Sequence, residues 1–301
     1  MQAKLLHTFD MGSGIHSLAV AGDGRAVAGL RDGTIAVCDI AGGRKLRSFP
    51  TGHGVFLSLA ALEDGGHAVS GGLRRLKVWD LESGRLVREI DTSADDVRVL
   101  TAGPPGTCLS GHKYGGILIW APDTGRRLGS LEADEIKLFS RMMADPDEVT
   151  ALALTSDRQR LVAGSSKGIL RVWDLWTRRC LHMLPAHLLD VTGIGVPPGS
   201  LRGLSVSWDG AVKGWALEKD ATSSALYEGK ARIHCLALLP DGNTVVWGTE
   251  AGELVFQDVA SRALLETVKA HLMPVNRVAA WNGNCVLSAS EDGTLKLWGG
   301  E

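Results

Sequence analysis

The chain has 301 residues, a net charge of -2, 45% hydrophobic residues and 38 glycines. Such a composition excludes a disordered chain and describes an ordered, turn-rich protein, long enough for two domains or for one closed all-β fold. Near-neutral charge gives no general pull toward nucleic acid or anionic lipid, and no apolar stretch reaches the ~20 residues that span a bilayer.

Taken in chain order, the start MQAKLLHTFD lacks the apolar run of a secretory signal. Within it, KLLHTF (residues 4–9) reads as an isolated strand. Seven similar units follow, at about 14–49, 53–90, 94–131, 148–184, 187–228, 232–268 and 271–298, with residues 132–147 inserted before the fourth. Each carries a run that ends on one key position: GTIAVCD, RLKVWD, GILIWAP, GILRVWD, AVKGWAL, ELVFQD and TLKLWGG. The key residues are Cys38, Trp79, Trp120, Trp173, Trp215, Gln257 and Trp298, spaced 41, 41, 53, 42, 42 and 41 apart. A period near 40 marks a repeat architecture.

Inside a unit the pattern gives four short strands. An alternating run such as VTGIGV comes first and a second such as CVLSAS follows. A tight turn leads to the run that ends at the key position. A polar turn such as ESG then leads to a fourth run such as RLVREI. Alternation marks strands with two distinct faces. Asp32-Gly33, Asp209-Gly210 and Asp292-Gly293 are expected to form two-residue hairpin turns with positive φ. The five cysteines, Cys38, Cys108, Cys180, Cys235 and Cys285, are odd in number and far apart, which argues against a disulfide framework or a CxxC site. They are expected to be small buried hydrophobes in a reducing compartment, cytoplasm or nucleus.

The period, the four strands per unit, Gly52-His53 before the runs and Trp79-Asp80 and Trp173-Asp174 at their ends resemble the WD40-repeat β-propeller family. The resemblance covers essentially the whole chain. It implies an all-β, seven-bladed propeller of four-stranded antiparallel blades, one domain over 1–301. It also implies that the N-terminal strand completes the last blade, residues 4–9 pairing with 294–298. Such closure is expected to leave no exposed blade edge and to bury Leu5, Leu6 and Phe9.

In the family a His, a Ser/Thr, an Asp and the Trp form a hydrogen-bonded chain inside a blade. Carried onto this sequence, blade five has His187, Ser205, Asp209 and Trp215, and blade seven has His271, Ser288, Asp292 and Trp298. The Trp partner and the recurrence identify these sets as scaffold, not a catalytic triad. The other blades depart from the pattern: Cys38 replaces Trp, blade two lacks the Asp, and Tyr114, Lys167 and Ala251 stand at the Asp place. These blades are expected to open first.

The resemblance also implies that partners bind one face, here called the top, which carries the loop before each first strand and the turn between the second and third strands. Three rings of top-face positions follow. The inner ring is His16, Ser58, Arg98, Thr150, Thr192, His234 and Asn276. A second ring includes Phe56, Asp96, Glu148, Asp190 and Arg232, and a turn ring includes Arg31, Lys113 and Trp208. Inner-ring polarity suits either a wet channel or a recognition surface. Phe56 and Trp208 are candidate interface anchors. Asp96, Glu148 and Asp190 suggest a partly acidic face. In the insertion, Ile136, Phe139, Met142 and Met143 recur at helical spacing and form either a cover for the top or a docking element.

The leading function is a non-catalytic scaffold for protein–protein interactions within a complex, with a protein partner, no cofactor, no membrane and no nucleic acid. An enzyme with a channel-mouth metal at His16, His234, Glu148 and Asp190 is the minor alternative. Substrate reception for a ubiquitin ligase is a third reading. Against it, the third residue after each key position is Ala41, Glu82, Asp123, Trp176, Glu218, Ala260 or Glu301, never basic. A subunit of an RNA-associated complex is a fourth, to which the charge balance lends no support, and a sensor module of a larger signalling assembly is a further one.

Overall fold

The computed structural model describes residues 2–53, 58–93, 96–131, 146–217 and 223–300. Among these residues there is no helix, and 28 strands form seven four-stranded antiparallel sheets. In six sheets the strands lie side by side in chain order. The seventh joins Val275–Trp281, Cys285–Ser290 and Thr294–Gly300 to the N-terminal strand Ala3–Asp10. Each innermost strand touches the next, and the innermost strand of the last blade touches that of the first, so the seven blades close a ring around an axial channel.

The closing ladder runs from Ala3 opposite Gly300 to Asp10 opposite Thr294. Residues 4–9 therefore pair with the last strand as expected. Of the three apolar residues assigned to this clasp, only Phe9 is sequestered, at 3% exposure. It packs with Met11, Ile15, Leu295 and Leu297 between blades seven and one. Leu5 and Leu6 stay half-exposed.

Closure does not remove every edge, contrary to the expectation. Each blade keeps its outermost strand at the rim. Every one of those seven strands carries a register shift, facing the key residue of the third strand in six blades and Val212–Lys213 in blade five, and the residues left unpaired are Leu6, Leu46, Val87, Leu128, Leu181, Leu226 and Leu265. A bulge twists an edge out of the flat geometry that a foreign strand needs.

The Asp-Gly turns also differ from expectation. Gly33, Gly210 and Gly293 take φ near +80°, but the aspartates before them do not. The loops are three-residue turns closed by a left-handed glycine, a form in which only the glycine needs positive φ. All five cysteines are free, with Cys38, Cys108 and Cys235 buried and Cys180 and Cys285 half-buried. Burial pushes the first three thiols up to about 12.

Candidate functional site

The blade networks come first because they fix the loops of the top face. In blade seven the indole of Trp298 donates to Ser288 Oγ (2.9 Å), Ser288 meets His271 Nε2 (2.7 Å), and His271 Nδ1 meets Asp292 (3.1 Å). Blade five repeats this with Trp215, Ser205, His187 and Asp209 at 3.2, 2.8 and 3.1 Å. Both imidazoles are buried and held below their ordinary pKa, chiefly by burial and against the upward pull of the aspartate. Burial pushes the Asp292 carboxyl up, but hydrogen bonds from the Thr294 hydroxyl and the Leu272 and Thr294 amides bring it down to about 2. The aspartates also accept from the Leu188 and Leu272 amides, so each network ends by pinning a top loop.

Three features of these networks are spatial and were not visible in the motif. In blade three the histidine comes from within the second strand: His112 Nε2 meets Ser110 Oγ at 2.8 Å, and Trp120 donates to the same oxygen. Residues two apart on a strand share a face, so this blade is less degraded than its turn suggested. In blade four Arg171 meets Asp147 at 2.8 Å, in the loop where blades five and seven hold their histidine. Finally, Lys77, Lys213 and Lys296, each two residues before the key tryptophan, donate to the loop carbonyls of Thr51, Ala186 and Ala270 at 2.7 Å.

Blade six inverts the pattern. Buried Trp247 stands where blades five and seven have serine, and buried Gln257 where they have tryptophan. The large ring and the short amide exchange volumes, and Trp247 packs on Tyr227 with ring centroids 5.1 Å apart.

The inner ring has a common structural cause. His16, Arg98, Thr150, Thr192, His234 and Asn276 are each the residue skipped by a register shift near the start of an innermost strand. The bulge turns these side chains toward the neighbouring blade. Thr150 donates to Val191 O and Thr192 to Ile233 O at 2.7 Å, and Asn276 donates to Ile15 O at 2.9 Å. Half of the ring is thus a set of blade-to-blade staples. Ser58 does not belong to it. Ser58 pairs with Gly71 as Ser17 pairs with Gly29, which puts it one place further along the strand, because the loop into blade two is one residue shorter.

Charges on the top face are mostly engaged. Arg98 clasps Glu148 at 3.0 Å through two nitrogens, and Arg31 meets Glu291 at 2.7 Å. The acidic row inferred from Asp96, Glu148 and Asp190 is therefore interrupted at Glu148. His16 lies 3.2 Å from Glu291, whereas His234 lies beside Trp208 (ring centroids 6.2 Å). Burial lowers the pKa of both histidines. Among the described residues no three His, Cys, Asp or Glu side chains come together to hold a metal. Lys113 sits over the Tyr114 ring in the blade-three turn.

Trp208, at the blade-five turn, is 36% exposed and lies under the Arg232 guanidinium, 5.5 Å from its ring centroid. Sequence reasoning missed further exposed apolar residues in the top loops. Leu188 and Leu272, each next to a network histidine, are 88% and 89% exposed, and Leu189 and Met273 are half-exposed. Their signal was the repeated Ala-His-Leu-Leu and Ala-His-Leu-Met. Phe56 and the insertion residues Ile136, Phe139, Met142 and Met143 lie outside the described residues.

Known proteins agree with this architecture. The family described as WD domain, G-beta repeat, matches residues 139–174 and 262–299. The chain is 28% identical over 190 residues to autophagy-related protein 16 of Arabidopsis thaliana, covering 62% of this chain and 35% of that protein. It is 30% identical over 167 residues to methylosome protein WDR77 of Xenopus laevis, half of each chain. It is 27% identical over 244 residues to human serine-threonine kinase receptor-associated protein, covering 74% of this chain and 60% of that one. These matches span 35% to 60% of the relatives' own lengths. Seven four-stranded blades make the chain a β-propeller, and repeats matched in two places make it similar to WD-repeat proteins.

Proposed function

We propose that this protein is a non-catalytic, cytoplasmic scaffold that binds a protein partner through its top face. The observation that carries the reading is the apolar and aromatic set at blades five to seven: Leu188, Leu189, Trp208, Leu272 and Met273, edged by Arg232. Large aliphatic side chains at nearly full exposure have no folding role, and a tryptophan stacked with an arginine is the usual composition of an interface centre. The network aspartates hold the two leucine loops in place before a partner arrives, which lowers the ordering cost of binding. The names of two relatives, a methylosome protein and a receptor-associated protein, are those of proteins that work with others.

The test is affinity capture with wild type, a Leu188→Asp/Trp208→Ala/Leu272→Asp variant, and a Trp176→Ala control. Trp176 is 94% exposed in a turn on the opposite face. The top variant is expected to lose partner recovery by at least about 30-fold, the effect of losing one hot spot of ~2 kcal/mol. Equal recovery by the top variant, or loss with the control alone, removes the top face from the function.

A further inference from the structure

Trp176 is the most exposed large apolar side chain among the described residues, at 94%. It belongs to the turn between the third and fourth strands of blade four, on the face opposite the top. At its place blades one, two, three and six carry Ala41, Glu82, Asp123 and Ala260, so the fold needs no aromatic there. The turn itself is rigid. The Thr177 amide and hydroxyl both donate to Asp174 Oδ1, at 2.6 and 2.8 Å, and the Asp174 amide donates to Arg179 O at 3.0 Å. The indole is held out in water on a backbone that has little freedom left to lose on binding.

Arginines gather around it. Arg178 takes φ +58°, a left-handed conformation, where blades one to three have Gly43, Gly84 and Gly125. Over each of those glycines lies a side chain of the preceding blade: His7, Phe49 and Arg88. Between blades three and four the arrangement is reversed. Gly129 leaves the room, and Arg178 reaches back across it to donate to Leu128 O at 3.1 Å. This exchange carries the cation onto the turn that holds Trp176. It also joins that turn to the half-exposed Leu128, with Arg127 and Arg126 one and two residues before it on the same strand. With Arg179 this makes four exposed arginines. The carboxylates of the two turns are Asp123 and Asp174, each of which accepts an amide of its own turn. Among the described residues Arg126, Arg178 and Arg179 form no ion pair.

A lone indole at this exposure has no walls of its own protein around it, so a peptide would have to supply the whole pocket. The interfacial zone of a bilayer takes such an indole without any pocket, and lipid phosphates take guanidinium groups. The net charge of -2 gives the molecule no general attraction to anionic lipid, so the attraction is local to these two turns.

We propose that the Trp176 turn docks on the surface of an anionic phospholipid bilayer, with the indole in the interfacial zone and the arginines of blades three and four on lipid phosphates. The top face lies on the opposite side and stays open to a protein partner.

The experiment is co-sedimentation of the full chain with vesicles of phosphatidylcholine alone and of phosphatidylcholine and phosphatidylserine in equal parts. Wild type is expected to bind the second kind at least about tenfold more tightly, and more weakly as salt is raised. Trp176→Ala is expected to melt as wild type does, because so exposed a ring holds nothing together, and to lose at least about tenfold in vesicle binding. Arg178→Gly/Arg179→Gln, with the glycine that three other blades accept at this place, is expected to lose about as much and to flatten the salt dependence. The Leu188→Asp/Trp208→Ala/Leu272→Asp variant is expected to sediment as wild type does, which separates this site from partner capture. Equal binding to both kinds of vesicle, no binding, wild-type binding by Trp176→Ala, or loss of binding in the top-face variant overturns the proposal. Retention on immobilised poly-glutamate without vesicle binding also overturns it and marks an acidic polypeptide as the ligand.

Discussion

At the residue scale the molecule contains its own control experiment. Trp298 and Trp215 donate to a serine ten positions earlier, whereas Trp173 has Ala163 at that offset and its buried indole nitrogen has no partner. Ala163→Ser is therefore expected to stabilise the protein by about 0.5–1.5 kcal/mol, read from the urea midpoint. Ser288→Ala strands both the Trp298 indole and the His271 imidazole and is expected to cost about 2–4 kcal/mol in the same assay. Acidification acts through the histidines. Burial holds His53 at about 4, with Lys77 and Arg75 adding to the effect. A base with a folded pKa below its unfolded value of ~6.5 lends full stability above that value and loses it as pH falls. The urea midpoint is thus expected to drop between about pH 6.5 and 4, where His187 and His271 act in the same direction, and His53→Gln is expected to flatten part of that drop. The networks of blades five and seven were readable because all four residues keep their offsets. His112 and Asp147 were not, because each supplies its group from a different point in the chain to the same point in space.

At the element scale, strand number and order were legible in the spacing of seven key positions, and so was the pairing of the first strand with the last. The bulges were not, since a register shift leaves no mark on an alternating pattern that is only five to seven residues long. They nevertheless decide which way the inner-ring side chains face, and they account for the misplacement of Ser58. The closing strand provides a test of burial. Phe9→Ala is expected to cost about 3 kcal/mol in chemical unfolding, because the ring fills the contact between blades seven and one. Leu6→Ser on the same strand is expected to cost about 0.5–1 kcal/mol, because its side chain is half-exposed. Equal effects of the two would mean that the ladder, not the packed ring, holds the clasp.

At the scale of the whole molecule, stability depends on a ring whose last contact joins residues nearly 300 positions apart. The seam has several ties: the Met11 amide donates to Gly293 O at 2.9 Å, Asn276 to Ile15 O, and Arg31 to Glu291. Because Ala3 faces Gly300 across the ladder, an Asn-Gly link between them makes a hairpin. A backbone cyclised in this way is expected to gain about 3–5 kcal/mol, measured by denaturant midpoint, since the unfolded chain can no longer separate the two strands. The same pairing sets a timetable for biosynthesis. The strand bearing Phe9 leaves the ribosome nearly 300 residues before its partner. At about 5–20 residues per second, the early strand waits roughly 15–60 s without its ladder. Through that interval the nascent chain carries a sticky, unmatched segment, so the cell's need for chaperone protection is greatest before the final strand emerges.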